Sequence, residues 1–330
     1  MMSLKAFIHG AGRLKVSEME EPIAAAGEVV VAIRAAGLNR RDLYIPARRG
    51  DAVEELIIGS DGAGVVEAVG EGVTNFTIGD EVIINPALRW QVNSDAPPED
   101  FDILGMPDHG TFAEKIAISA EQIERKPTHL TWEEAAVLAL AGVTGYRALF
   151  TKGGLQAGDT VFIPGAGSGV ATYLIAFAKN SGARVIVTSR SEDKRKQALE
   201  LGADVALDTA GDWQQQLAGE TIDLVIESVG QATFNRSLGV LKKGGRIVVF
   251  GATAGDNINL DLRAFFYGQY QLFGSTMGSR EELRDMLAHI EKYGTRPVVD
   301  TVFKLDDALA AFDYVEGSKQ FGKVVLRVSE

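Results

Sequence analysis

Val161-Phe162-Ile163-Pro164-Gly165-Ala166-Gly167-Ser168-Gly169-Val170-Ala171 decides the fold of this 330-residue chain. An apolar run ends at Pro164 in a glycine-rich turn, and Thr172 to Asn180 then reads as a helix. Turns poor in side chains let backbone N–H groups approach a pyrophosphate, and the N-terminus of the next helix favours its negative charge. A second apolar run, Arg184 to Val187, leads into Thr188-Ser189-Arg190. An NAD site would place Asp or Glu there on the ribose 2′-hydroxyl. Serine and arginine point instead to NADPH. Strand, turn, helix and strand within about thirty residues distinguish a dinucleotide site from an ordinary glycine loop. The last residue of the turn motif is Ala171 rather than glycine, which still permits close helix–strand packing.

Length alone predicts two domains, because single cores stop growing at roughly 250–300 residues. A net charge of −12 with no basic stripe argues against a nucleic-acid partner. The longest apolar segments, such as Val170 to Ala178, are too short for a membrane span. Met1-Met2-Ser3-Leu4 does not open a secretion signal, and the absence of cysteine excludes disulfides and thiolate catalysis. A cytoplasmic location is the expectation.

The texture changes along the chain. Up to about Lys126, short strands (Glu28 to Ala35, Gly62 to Val69, Glu81 to Asn85, Glu114 to Ile118) alternate with glycine turns such as Thr77-Ile78-Gly79-Asp80, predicting a small barrel-like β domain. From Thr131 helices and strands alternate. Trp132 to Phe150 reads as one helix capped by Thr131, and six strands follow between Thr160 and Gly274. That rhythm is α/β and predicts a doubly wound parallel sheet. After Met277 come a helix, Arg280 to Tyr293, and two strand-like runs.

Gly59-Ser60-Asp61-Gly62-Ala63-Gly64-Val65-Val66-Glu67-Ala68-Val69-Gly70, Gly110-Thr111-Phe112-Ala113-Glu114, Ala141-Gly142-Val143-Thr144-Gly145 and the closing Phe321-Gly322-Lys323-Val324-Val325-Leu326 resemble the medium-chain dehydrogenase/reductase superfamily. The resemblance implies a GroES-like β-barrel catalytic domain over 1–129, completed by about 277–330. It implies a Rossmann NADP-binding domain over 130–276, with nicotinamide and substrate in the cleft between the two. Zinc alcohol dehydrogenases of this superfamily hold their metal with cysteine, histidine and cysteine. The corresponding positions here are Asn39, Ser60 and Leu140, and the stretch Pro86 to His109 lacks the four cysteines of a structural zinc lobe. Zinc prefers thiolate or imidazole ligands in tetrahedral geometry, so no metal is expected.

Leu38-Asn39-Arg40-Arg41-Asp42-Leu43-Tyr44 is similar to the Asn-x-x-Asp-x-Tyr element of the zinc-free, quinone oxidoreductase-like branch. That branch implies NADPH-dependent hydride transfer to a quinone or an α,β-unsaturated carbonyl. The forming oxyanion would need only hydrogen-bond donors and a proton. Asn39 and Tyr44 are the candidate donors, with Asp61 behind them. Asn39 could equally cap a turn, and Tyr44 could be a packed aromatic. For the cofactor, the resemblance implies Thr144 near the nicotinamide, and Gly165, Ala166, Gly167, Ser168, Gly169 and Val170 at the pyrophosphate. Ser189, Arg190 and Lys194 would meet the 2′-phosphate. Ser228, Val229, Gly230, Phe250, Gly251, Ala252, Ser275, Met277 and Lys323 complete the expected contacts. Tyr44, Leu88, Trp90, Phe265, Phe266 and Tyr267 would wall an apolar pocket.

The branch also implies a homodimer, in some relatives a tetramer, through the last strand of the parallel sheet, Gln271 to Thr276. An NADPH-binding sensor or crystallin-like protein with little catalysis fits the same fold, since chemistry resides in the site. Turnover with quinones, 2-alkenals and enones separates the two. A zinc-dependent alcohol dehydrogenase is disfavoured by the missing ligands.

Overall fold

The computed structural model describes residues 3–329. The chain forms two compact units, one running to Val143 and resuming at Gly278, the other Thr144–Met277. Among the described residues no helix is long and apolar enough to cross a membrane.

The first unit is built on a seven-stranded sheet. Its central strand, Glu28–Gly37, pairs antiparallel with Asp61–Val69, Lys115–Ser119 and the C-terminal Lys323–Arg327. Val29, Val31 and Ile33 of that strand are fully buried. Gly64 lies against it so closely that a Cβ would stand 2.1 Å from the Ala32 carbonyl oxygen. Any side chain there would force the strands apart. A helix the sequence pattern did not announce, Ala308–Glu316, buries Ala308, Ala311, Phe312 and Val315 at helical spacing. Phe312 meets the rings of Phe7 and Phe112 edge-on at 5.2 and 6.3 Å. The register matters more than the packing. Gly37 pairs with Asp61 on one side and with Val325 on the other, so Asn39, Asp61 and Lys323 converge at one end of the sheet.

The stretch expected as one helix from Trp132 to Phe150 is broken. Thr131 caps Trp132–Ala135 in a reciprocal box with Glu134, as its sequence implies. The chain then turns, and a new helix starts at Ala139. The N–H groups of a helix's first turn have no partner within the helix. Here the N–H of Leu140 donates to the buried Asp61 carboxylate at 2.8 Å. A continuous helix would have used that donor internally.

The second unit is a six-stranded, all-parallel sheet. In space its strands run Val205–Asp208, Arg184–Ser189, Thr160–Pro164, Ile222–Glu227, Leu241–Val249, Gln271–Gly274. Counted along the chain, that order is third, second, first, fourth, fifth, sixth. The order reverses between Thr160–Pro164 and Ile222–Glu227, which makes the crevice beyond their C-terminal ends the topological switch point. Phe162, Ile186, Trp213, Val225, Phe234 and Ile247 form a buried core in this unit.

Candidate active site

Gly165 turns the chain with a φ of +83°, a conformation that costs a side-chain-bearing residue strain. The N–H groups of Gly165 and Ala166 are held by the Thr188 carbonyl at 3.1 and 2.8 Å. Ser168 caps the helix Gly169–Asn180, its hydroxyl accepting from the N–H of Ala171. The turn therefore ends in a helix N-terminus at the switch point, where an anion is favoured. Lys194 lies across Gly167: a Cβ there would be 2.6 Å from its Cδ and 3.2 Å from its Nζ. Lys194 is placed by its own helix, Glu192–Leu201, capped by Ser191. Ser189 is buried at the end of its strand and receives the Ser191 N–H, while Arg190 is exposed beside it.

The neighbouring strand ends are tied together by Glu227, which sequence reading missed. This buried carboxylate accepts from the N–H groups of Val229 (2.7 Å) and Gly230 (3.1 Å). It accepts also from the hydroxyls of Thr233 and Ser237. Its only signal in the sequence is an acidic residue closing an apolar strand. The Glu227 carbonyl receives Phe250 N–H, and the Ser228 and Val229 carbonyls receive Thr253 and Ala254. Ser228–Gly230 and Phe250–Ala252 thus form one stitched rim. Ser275 is tethered to Val249, and its buried hydroxyl has no partner. Thr144 reaches Met277, Oγ1 to Sδ 3.9 Å. Apart from Lys323, the residues expected at the dinucleotide all belong to this unit, most of them at its strand ends. The open turn, the cationic Lys194 and the orphaned Ser275 hydroxyl fit a phosphorylated dinucleotide.

Lys323 stands in the other unit, with the catalytic candidates. Its buried Nζ donates to the Leu38 carbonyl (2.7 Å) and to Asn39 Oδ1 (2.5 Å), and lies 3.7 Å from Asp61. Asn39 in turn donates through Nδ2 to Asp61 at 2.9 Å. The Asn39 N–H is taken by Asp42 at 2.8 Å, which fixes the start of the short helix Arg40–Tyr44. Ser60 donates to the Leu104 carbonyl, and Arg41 Nη1 donates to both the Ser60 hydroxyl (2.6 Å) and Leu104 (3.0 Å). The cluster holds two carboxylates and two cations.

Burial dominates its electrostatics, because charged forms lose hydration there. It pushes Asp42 up to about 6, against Arg41, the Asn39 N–H and Lys323, which favour the carboxylate. Burial likewise raises Asp61, opposed by Lys323 and Asn39, and lowers Lys323. Tyr44 is unlike the rest: its side chain is half exposed at the end of the short helix. Leu88 and Trp90, expected to wall a pocket, are buried in the unit's interior. Phe266 and Tyr267 stand exposed on a helix, Leu262–Tyr267, that buries no residue.

The model of the alcohol dehydrogenase GroES-like domain matches residues 25–128, and that of the zinc-binding dehydrogenase domain matches 169–292. A zinc-type alcohol dehydrogenase-like protein of Schizosaccharomyces pombe is 34% identical over 99% of this chain and 100% of its own. The chain belongs to the medium-chain dehydrogenase/reductase superfamily. Crotonyl-CoA carboxylase/reductase of Cereibacter sphaeroides is 30% identical, covering 79% of this chain and 71% of its own. The solved 2-octenoyl-CoA carboxylase reductase, in complex with NADP and 2-octenoyl-CoA, superposes with a TM-score of 0.88. It is 27% identical over 98% of this chain and 87% of that one.

Membership in a superfamily with zinc-binding members raises the question of whether a metal fits. At the three ligand positions this chain offers an amide engaged on both sides, a hydroxyl and a leucine. The Lys323 ammonium already stands 2.5 Å from Asn39. Zinc is held by thiolate, neutral imidazole or carboxylate groups, and none of these three side chains is one. Among the described residues no group of three or more His, Asp or Glu side chains could hold a metal ion.

Proposed function

We propose that this chain is a zinc-independent, NADPH-dependent oxidoreductase that reduces a quinone or an α,β-unsaturated carbonyl compound. One observation carries the reading: Asn39, Asp61 and Lys323 form a closed, hydrogen-bonded network where a metal enzyme of the superfamily would present ligands. Polarising a simple carbonyl or alkoxide without a Lewis acid is difficult. A conjugated acceptor needs less help, because its own π system carries the electron pair to oxygen.

NADPH, when bound, would supply the hydride, and a proton from Tyr44 or water would complete the two-electron reduction. Gly165 to Val170 would hold its pyrophosphate, with Ser189, Arg190 and Lys194 on the 2′-phosphate. Ser228 to Gly230, Phe250 to Ala252, Thr144, Ser275 and Met277 would line the remainder. NADP and an enoyl-CoA in the 2-octenoyl-CoA carboxylase reductase complex support both the phosphorylated cofactor and a conjugated carbonyl. Tyr44 is proposed as a hydrogen-bond and proton donor to the acceptor, with Asn39 and Asp61 supporting the local backbone.

The test is NADPH oxidation with ortho-quinones, 2-alkenals and enones, before and after dialysis against EDTA. Saturable turnover that EDTA leaves unchanged is expected. Saturable NADPH binding without turnover on any acceptor would make the protein a dinucleotide-binding sensor instead.

A cytoplasmic homodimer is part of the proposal. Gln271–Gly274 is an edge strand, paired on one side with Leu241–Val249. Leu272 of this strand is exposed, as are Leu262, Phe266 and Tyr267 of the helix before it in the chain. An unpaired edge with apolar neighbours invites pairing with a second copy. Light scattering at micromolar concentration should give twice the chain mass, and Leu272→Lys should shift it toward monomer.

A further inference from the structure

We propose that Arg41 receives the acceptor's carbonyl oxygen and holds the negative charge that reduction places on it. The inference rests on the reading of the chain as a reductase of conjugated carbonyls or quinones.

The other donors of the cluster are already engaged. Lys323 is fully buried against Leu38, Asn39 and Asp61. Asn39 uses Oδ1 for Lys323 and the two N–H groups of Nδ2 for Asp61 and the Gly37 carbonyl, and the Leu140 N–H is held by Asp61. A carbonyl oxygen could reach none of them without breaking a buried hydrogen bond. The Tyr44 hydroxyl is in a half-exposed side chain, where water competes for the same oxygen and weakens the interaction.

Arg41 differs on each count. A guanidinium carries five N–H donors in a rigid fork and no acceptor. Both anchors of Arg41, the Ser60 hydroxyl and the Leu104 carbonyl, fall on the single nitrogen Nη1. Among the described residues nothing accepts from Nε or Nη2, which together form the other edge of the fork. The side chain is only 15% exposed, so the fork is held still and largely shielded from solvent. Such a donor pair, fixed before the reaction, is what stabilises charge as it develops on oxygen. The compensating charges are also in place, since Asp42 and Asp61 both favour the cationic form against burial. A guanidinium remains charged at any pH used for assay.

Arg41 occupies one of the two variable positions between Asn39 and Asp42, and Ser60 stands where the resemblance expects a metal-binding histidine. The structure joins those two residues in one 2.6 Å hydrogen bond.

The probe is 4-nitrophenol, whose phenolate absorbs apart from the phenol, so that its protonation can be read without turnover. The full-length protein should bind the phenolate at least about tenfold more tightly than the phenol, lowering the bound probe's pKa by one unit or more. Arg41→Met should abolish that shift and Arg41→Lys should keep part of it, because a lysine retains charge but not the fork. With NADPH and a 2-alkenal, Arg41→Met should lower kcat by about a hundredfold or more, with NADPH Kd within twofold. Ser60→Ala removes one anchor but leaves the guanidinium, and it should retain the phenolate shift. Arg41→Lys covers the case in which Arg41→Met fails to fold: a shift equal to the parent's overturns the assignment. An unshifted probe in the parent protein, or an equal shift in Arg41→Met and Arg41→Lys, overturns the assignment. A parent that shifts the probe but reduces no enal, enone or quinone overturns the functional reading while leaving the oxygen site in place. Enal reduction unchanged in both Arg41 variants overturns the oxygen site alone.

Discussion

Lys323 and Asn39, 284 positions apart in the chain, meet in a 2.5 Å hydrogen bond from Nζ to Oδ1. That contact sets the orientation of the Asn39 amide and leaves Nδ2 facing Asp61. An ammonium with three oxygen neighbours in a buried cluster is a structural cation. Lys323→Met should therefore destabilise the protein by about 3–5 kcal/mol, because Asp61 would be left buried beside a missing charge. Urea unfolding measures the loss. NADPH affinity of the folded fraction should stay within twofold; a large rise in Kd with unchanged stability would return Lys323 to the dinucleotide.

Asp42 gives the protein a pH dependence with an unusual sign. Burial raises its folded-state pKa to about 6, above the ordinary 3.8. The native state therefore holds the proton more tightly than the unfolded chain. This group's contribution is fully present below about pH 4 and is lost as pH rises toward 6, by about 3 kcal/mol. Asp42→Asn keeps an acceptor for the Asn39 N–H and should remove that decline. Unfolding free energies of parent and variant at pH 4, 5, 6 and 7 give the difference directly, and parallel curves would refute the assignment.

Gly167→Ala tests whether Lys194 reads the 2′-phosphate. The new methyl would collide with the end of a flexible side chain, so the fold survives and Lys194 moves. Losing one charge-assisted contact should raise the NADPH Kd by about tenfold or more and leave the NADH Kd nearly unchanged. Fluorescence titration with both dinucleotides decides it. Equal losses for the two would mean the turn itself had been distorted.

Glu227 should matter for both stability and cofactor affinity. Glu227→Ala strands one buried and one part-buried N–H group and two buried hydroxyls, at a cost of roughly 3–5 kcal/mol. It also frees the Ser228–Gly230 rim. The expected result is a lower urea midpoint together with weaker NADPH binding at a temperature where the variant is folded. Glu227→Gln keeps one acceptor oxygen and should fall between parent and Glu227→Ala on both measures.

Much of this architecture was legible in the chain. The turn at Gly165 to Val170 and the alternation after it announced the parallel sheet, because glycine conformation and apolar periodicity are local properties. The helix Ala308–Glu316 was not announced: its apolar positions sit between two strand-like runs and took their reading from those neighbours. The break after Ala135 was hidden for a different reason. The Leu140 N–H of the second segment is taken by Asp61, a buried carboxylate almost eighty residues away, a partner that no local pattern announces.

The sequence by itself determined the fold class, and it pointed to the dinucleotide turn and to the charge expected at the 2′-phosphate. Each follows from residue type and near-neighbour spacing. Only the tertiary structure decided that Lys323 belongs with Asn39 and Asp61, that Glu227 holds the backbone of Val229 and Gly230, and that Arg41 keeps one edge of its guanidinium unengaged. Those facts depend on which strands pair and in what register. Gly37 faces Asp61 and Val325 at once, and that meeting is set by the packing of the whole sheet rather than by any one segment of the chain.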